Sequence, residues 1–476
     1  MSIHAAQTAL SGLMVAKAGL DTTAQNVANA TTEGYTRQRV SVNSIGPGTQ
    51  AGLSAGRGVE VTDIQRFASN FNDSQLWKAT SLEANANERL DAYERIEELF
   101  GRDGASISSN LDSFFSALSE ATTQPESSPL RQQIIEEARA LTLQFNNVSS
   151  TLNNFQTSIY DQYQDKVANV NSLISGISDI NDKVVITERS GGNSSVLLDQ
   201  RNRLVEDVAA LIDIEVNYSS ENRLEIAFAR GLPLIVGSSF SSLSANIDPS
   251  NADRIQLSVQ TPGSQVSVTH QYGGGLGALA DFHESAVGDY ENIVNAMATT
   301  LHDEVNSQLA LGQDLVGNFG SAVSALFVIA NPSDPAGSIG VNESIEPDLL
   351  AFSASVDDGN PLTIDQMTPG DSSNLLALNL IKESSYTIAG LGNVTLNEAY
   401  ESLLANVGIL TRQSQRESDT YSILHAQAKS NREGLSGVNS DEEATKLMEY
   451  SQAYQANLKV LNIVNELMED LFNNLR

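Results

Sequence analysis

An apolar residue returns every seven positions through the last stretch of this sequence: Leu447, Tyr454, Leu461, Met468 and Leu475. A second set, Tyr450, Asn457, Val464 and Leu471, follows three residues behind it. Together they form the a/d seam of a helix that requires a helical partner. Asn457 is the polar member, at d, where an amide either trades stability for a defined register when buried or faces solvent or a second partner. The expected partner stands at the other end of the chain. From Ile3 to about Ala28 a heptad places Ile3, Leu10, Lys17 and Ala24 at a, and Ala6, Leu13, Leu20 and Val27 at d. A second face is small and apolar, with Ala5, Ala9 and Ala16, which suits a helix touching more than one neighbour. Such a pair obliges the chain to run out and come back.

What lies between is long enough for two to four domains and a sizeable core, at 476 residues and 40% hydrophobic content. Lys and Arg total 27 against 59 Asp and Glu, a formal net charge of −32 that repels nucleic acid and anionic membrane and argues against either as a partner. The absence of cysteine excludes disulfides, thiolate metal sites and cysteine nucleophiles. Met1 to Gln7 lacks the basic and apolar regions of a cleaved secretory signal, and no run approaches membrane-spanning length, so any export is expected by another route.

Helical periodicity dominates the interior. After a Gly-rich irregular hairpin or connection over Val40 to Ile64, apolar residues recur at helical steps from Leu76 to Phe100, over a short helix at Ser108 to Ser119, and from about Pro129 to Val184. The last of these is too long for a small compact domain. Strand alternation then appears at Ile212, Ile214 and Val216, at Leu224, Ile226 and Phe228, and again through Val268, a small antiparallel meander. A helix resumes from Leu279 to about Leu309. Between Ser321 and about Asn393 five prolines interrupt short apolar runs, and helix returns from Leu396 through Ser436. Ser440, with Glu443 three residues on, reads as the capping box of the last helix.

No catalytic pattern survives its context. Gly275-Leu276-Gly277-Ala278-Leu279-Ala280 has dinucleotide-loop spacing, but a meander precedes it and no parallel strand follows. Gly56-Arg57-Gly58 lacks the helix and lysine of a phosphate loop. None of His4, His270, His283, His302 and His425 lies four residues from another, and His-Glu-X-X-His does not occur. Glu97-Glu98, Glu136-Glu137 and the charges of Asp199 to Val205 read as solvated helix faces. The residues point to no metal, no cofactor and no catalytic site.

Residues Leu20-Asp21-Thr22-Thr23-Ala24-Gln25-Asn26-Val27-Ala28-Asn29-Ala30-Thr31-Thr32-Glu33-Gly34-Tyr35-Thr36-Arg37-Gln38 resemble the N-terminal motif of the flagellar rod, hook and hook-associated axial proteins. Gly437-Val438-Asn439-Ser440-Asp441-Glu442-Glu443 is similar to the C-terminal motif of the same family. Phe114-Phe115, Pro125, Arg131, Asp199 to Val205 and Gly312 to Asn318 also resemble its hook-associated members.

The resemblance implies a non-enzymatic structural subunit at the hook–filament junction, exported to the flagellum by its dedicated secretion apparatus. It implies a homo-oligomeric ring, with hook protein and the second junction protein as neighbours, and an export chaperone on the C-terminal helix. Asn26 and Asn29 join the heptad positions as candidate assembly residues. Another axial protein, hook or second junction protein, or a secreted adhesin or enzyme, remains the alternative.

The expected fold is mainly α with β insertions, elongated and multi-domain, its terminal helices paired as a coiled coil. Residues 1–66 and 437–476 would form the tube-forming part, and 67–320 an elongated helical domain with the meander inserted at about 212–270. Residues 321–393 would be a variable β-rich outer domain, and 394–436 the return helix.

Overall fold

Two antiparallel helix pairs, one made from the chain ends and one from the interior, carry the architecture. The computed structural model describes residues 2–46, 56–101, 106–219, 222–229, 231–261, 263–268, 272–354 and 370–474. Helix α1 (Ser2–Ala28) leads into an antiparallel hairpin, β1 (Gln38–Ser44) with β2 (Val59–Arg66), whose register shifts between Ser41 and Val42. Helix α2 (Asn70–Phe100) starts at Ser69, whose side chain accepts from the Asn72 amide. Helix α3 (Ile107–Ala121) precedes α4 (Ser128–Arg189), which begins with Pro129 in its first turn, where a missing N–H costs nothing. Its 62 residues span roughly 90 Å at about 1.5 Å per residue. Helix α5 (Ser195–Leu211) turns back along it.

The single meander expected from the alternation is two sheets. Strands β3 (Ile214–Tyr218), β4 (Leu224–Phe228), β5 (Leu232–Val236) and β6 (Ser239–Phe240) form one in sequence order, and β7 (Ser242–Asp248), β8 (Asn251–Thr261) and β9 (Ser264–Val268) the other. Helix α6 (Gly274–Asp281) then passes through a π-helical turn, Phe282–Val287, directly into α7 (Gly288–Ala310). The glycines before it serve packing. Gly274 has φ +60, and a Cβ there would lie 2.4 Å from the Leu211 carbonyl carbon, so only glycine lets α6 approach the end of α5.

After α7 come short elements: β10 (Gly312–Gln313), β11 (Phe327–Ile329), α8 (Pro335–Ser338), β12 (Ile339–Val341), β13 (Ser353–Ala354), α9 (Ser373–Leu380), β14 (Tyr386–Ile388) and β15 (Gly392–Val394). Among the described residues these strands form two-stranded ribbons, β10 with β13, β11 with β12 and β14 with β15. Phe327, Ile339, Leu350, Phe352 and Leu375 are buried in the same apolar cluster as α3, α4 and α7. Arg131 of α4 pins this region. It is buried beneath the Phe352 ring, 4.5 Å from the centroid, and donates to the carbonyls of Pro125 (2.6 Å), Leu350 (2.7 Å) and Pro347 (3.0 Å).

Helix α10 (Leu396–Ser436) opens with a capping box, Thr395 and Glu398, and returns along α2. Ser418 donates to Asn87 (2.6 Å), Arg89 to Glu417 (3.1 Å), and Arg432 pairs with Asp73 (2.9 Å), so the two helices run in opposite directions. Helix α11 (Ser440–Asn474) then lies along α1. One continuous core joins α2 through α10, and among the described residues none of its members comes from α1, β1, β2 or α11. The terminal pair stands outside that core.

Candidate assembly site at the paired termini

The helices α1 and α11 meet in antiparallel heptad steps. Asn26 faces Glu443, Gly19 lies under the Tyr450 ring, and Gly12 lies under the Asn457 amide. A Cβ on Gly19 would sit 2.5 Å from Tyr450, and one on Gly12 2.7 Å from Asn457 Oδ1. The α1 residues turned inward are therefore small: Ala9, Ala16, Gly19, Thr23 and Asn26 are all buried. This corrects the seam read from the sequence. Leu10 is 46% exposed, Val27 43%, and Lys17 and Ala24 also face out, while Leu13 and Leu20 are half-buried. The apolar heptad thus lies at the edge of the pair or on its outer face, because bulky partners on α11 need the small face to close the gap.

On α11 the expected seam fares better. Val464 is buried, and Tyr450, Tyr454, Asn457, Leu461 and Met468 are half-buried, but Leu447 is exposed at its edge. The side chains of Ile3 and Leu471, and Leu475 and His270 entirely, lie outside the described residues. Asn457 Nδ2 donates to the Ala453 carbonyl of its own helix (2.9 Å).

Asn26 closes the lower end of the pair with four hydrogen bonds. Its Nδ2 donates to the Gln38 carbonyl and to Glu443 Oε2, both at 2.8 Å, and its Oδ1 accepts from the Gln38 amide and the Tyr35 hydroxyl, both at 2.9 Å. The amide thus pairs with β1 as a strand neighbour would, and uses its remaining groups on α11. No other side chain of this size offers two donors and two acceptors in that plane. The fully buried Glu443 accepts a second bond from Lys446 (2.8 Å). Burial pushes the Tyr35 phenol up to about 12, with the Asp199 and Glu443 charges acting the same way. Asn29 plays a lesser part, donating from just past α1 back to the Gln25 carbonyl (2.9 Å).

The same knot reaches the body of the molecule. Asp199 accepts from the Thr36 amide (3.2 Å) and pairs with Arg66, and Arg37 donates from its amide to the Ser436 carbonyl and from its guanidinium to Glu442, both 2.8 Å. Arg37 and Arg39 both stack on Phe67. Of the charges of Asp199 to Val205, only Arg203 is exposed as expected: Asp199 and Arg201 are buried and bonded, as is Asn202 between them. Arg201 donates to Asn181 (3.0 Å) and to the Asn222 carbonyl (2.8 Å).

A second correction concerns the cap of α11. Asn439, not Ser440, accepts from the Asp441 (3.0 Å) and Glu442 (3.3 Å) amides, which leaves Glu443 free to turn inward. Asn26 stood in a recognisable motif, whereas the inward turn of Glu443 had no signal in spacing. Among the described residues no group of three or more His, Asp and Glu could hold a metal, and no helix is long and apolar enough to cross a membrane.

The elements of this knot coincide with the segments that match known families. Residues 7–36 match the flagella basal body rod protein profile, and residues 434–474 the C-terminal profile of the flagellar basal body rod FlgEFG proteins. Residues 93–324 match the helical domain of the flagellar hook-associated protein FlgK. The body of the chain is thus similar to that of the flagellar hook-associated proteins, and its two ends to those of the rod proteins. The chain is a structural protein of the flagellar axial junction.

The chain is 25% identical to flagellar hook-associated protein 1 of Salmonella typhimurium, over 98% of each chain. It is also 25% identical to the Bacillus subtilis protein of that name, over 98% of this chain and 97% of that one. The structure of the flagellar hook junction protein FlgK from Burkholderia pseudomallei shares the fold, with a TM-score of 0.64 and 16% identity, covering 76% of this chain and all of that one.

Proposed function

We propose that this hook-associated protein joins hook to filament by self-assembly through its terminal helices, as a non-catalytic subunit of a ring. The observation that carries this reading is the apolar face turned away from the pair. On α1, Leu10, Met14 and Val27 are exposed, and on α11, Met448, Ile463 and Leu467. Ordering a residue costs about 1–2 kcal/mol, and burying one Leu contributes roughly 1.5–3 kcal/mol. A two-helix pair with these apolar side chains in water is marginal alone, and gains stability when neighbouring copies cover them.

In this reading residues 1–66 and 437–476 form the tube wall, the helical body of 67–320 and 394–436 lies outside it, and 321–393 is outermost. Hook protein meets one side of the ring and the second junction protein the other. The weakly held termini suit passage through the flagellar export apparatus, with a chaperone covering α11 beforehand. A chain ending at Asn439 should fold and remain soluble but fail to assemble; assembly equal to that of the full chain would refute the terminal-helix mechanism.

A further inference from the structure

The charge of the chain is divided unevenly. Residues 1–66 hold five Lys and Arg against four Asp and Glu, and residues 437–476 three against seven, so the paired ends together carry −3. The remaining −29 lies on residues 67–436, and from 255 to 381 there is no Lys or Arg at all. In that stretch Asp289, Asp303, Glu343, Glu346 and Asp348 are exposed. The near-neutral ends are the part that shows Leu10, Met14, Ile463 and Leu467 to water. The exposed apolar faces of the paired helices and the bulk of the negative charge therefore lie on different parts of one subunit.

We infer that the acidic body is an electrostatic brake on assembly, released by ionic strength. The inference rests on the terminal-helix reading above. Copies that bring their terminal helices together must also bring bodies of like charge side by side. Net charge of this size keeps free chains apart. Screening shortens the reach of that repulsion from about 30 Å at 0.01 M salt to about 8 Å at 0.15 M, while contact between apolar helix faces does not depend on it. Low salt holds the subunit as a monomer, and moderate salt lets the apolar faces meet.

The test uses the full chain, followed by light scattering and sedimentation across a NaCl series, with sucrose as an uncharged control. The lowest protein concentration that yields assembled material should fall roughly tenfold or more between about 0.01 and 0.15 M NaCl as the repulsion is screened, and sucrose should not reproduce the fall. Charge reversal at the exposed Glu343→Lys and Glu346→Lys should move the transition to lower salt with the melting temperature unchanged. A threshold independent of salt and of these two substitutions, with assembly intact, overturns the brake and leaves the terminal-helix reading standing. Failure to assemble at every salt concentration overturns both.

Discussion

Asn26 and Glu443 stand 417 positions apart in the sequence and share a 2.8 Å hydrogen bond around a carboxylate with no solvent exposure. That bond fixes where α11 begins relative to α1 and to the β1 strand, and every heptad step above it inherits the register.

Replacing Asn26 should therefore loosen the whole pair. Asn26→Ala leaves buried groups of Gln38, Tyr35 and Glu443 short of a partner, at a cost of about 1–3 kcal/mol. Asn26→Asp is the harsher change, since it removes both donors and sets a second carboxylate against Glu443, for about 3–5 kcal/mol. Amide hydrogen exchange along α11 should rise in the order wild type, Ala, Asp, with α4 unaffected.

The two interfacial glycines should respond differently to Ala. Ala is favoured over Gly in a helix interior by roughly 1 kcal/mol. At Gly19 the added methyl meets the rigid Tyr450 ring at 2.5 Å, and overpacking of about 1–3 kcal/mol outweighs that gain. At Gly12 the methyl meets the end of the Asn457 side chain, which can rotate aside. Thermal unfolding of the terminal pair should show Gly19→Ala destabilised, Gly12→Ala near neutral, and Gly19→Ala with Tyr450→Ala less than additive.

Arg131→Met should free the region after α7 without unfolding the helices. The substitution keeps the apolar stem but leaves the carbonyls of Pro125, Pro347 and Leu350 without the guanidinium, at about 1–3 kcal/mol for an unsatisfied buried group. Limited proteolysis should cut between 321 and 354 faster than in the wild type, while helical circular dichroism is retained.

The knot should weaken in alkali. The Tyr35 phenol is raised by burial from 10.0 to about 12 in the folded chain, so the folded state holds this proton more tightly than the unfolded one. Its contribution is complete below pH 10 and is lost as pH rises through 12. Tyr163 and Tyr272, hydrogen-bonded to each other in the core, are raised in the same direction by burial. Tyr35→Phe should show a smaller drop in stability of the terminal pair between pH 10 and 12.

Periodicity made α1, α2, α4, α10 and α11 legible, because each buries a stripe long enough to repeat. It misassigned the inner face of α1 for a physical reason: hydrophobic periodicity marks where apolar surface is, and here the larger apolar face is the one left outside. Ala9, Gly12, Ala16 and Gly19 form an equally regular heptad, but one of small residues whose value depends on Tyr450 and Asn457 opposite. Asp199 and Arg201 read as solvated because sequence alone does not show that Thr36, Arg66 and Asn181 arrive from other elements to pair with them. The two-stranded ribbons after α7 had only prolines and short apolar runs to announce them.

The most direct measurement of the account is filament attachment in cells whose sole copy of this protein carries Leu10→Asp, Met14→Asp and Ile463→Asp. All three side chains are exposed in the single chain, so the purified protein should keep its wild-type melting temperature. The account predicts secretion of a folded protein, hooks without attached filaments, and no assembly of the purified chain at any salt concentration. Filaments attached as in the wild type would contradict the claim that the outer faces of α1 and α11 build the junction.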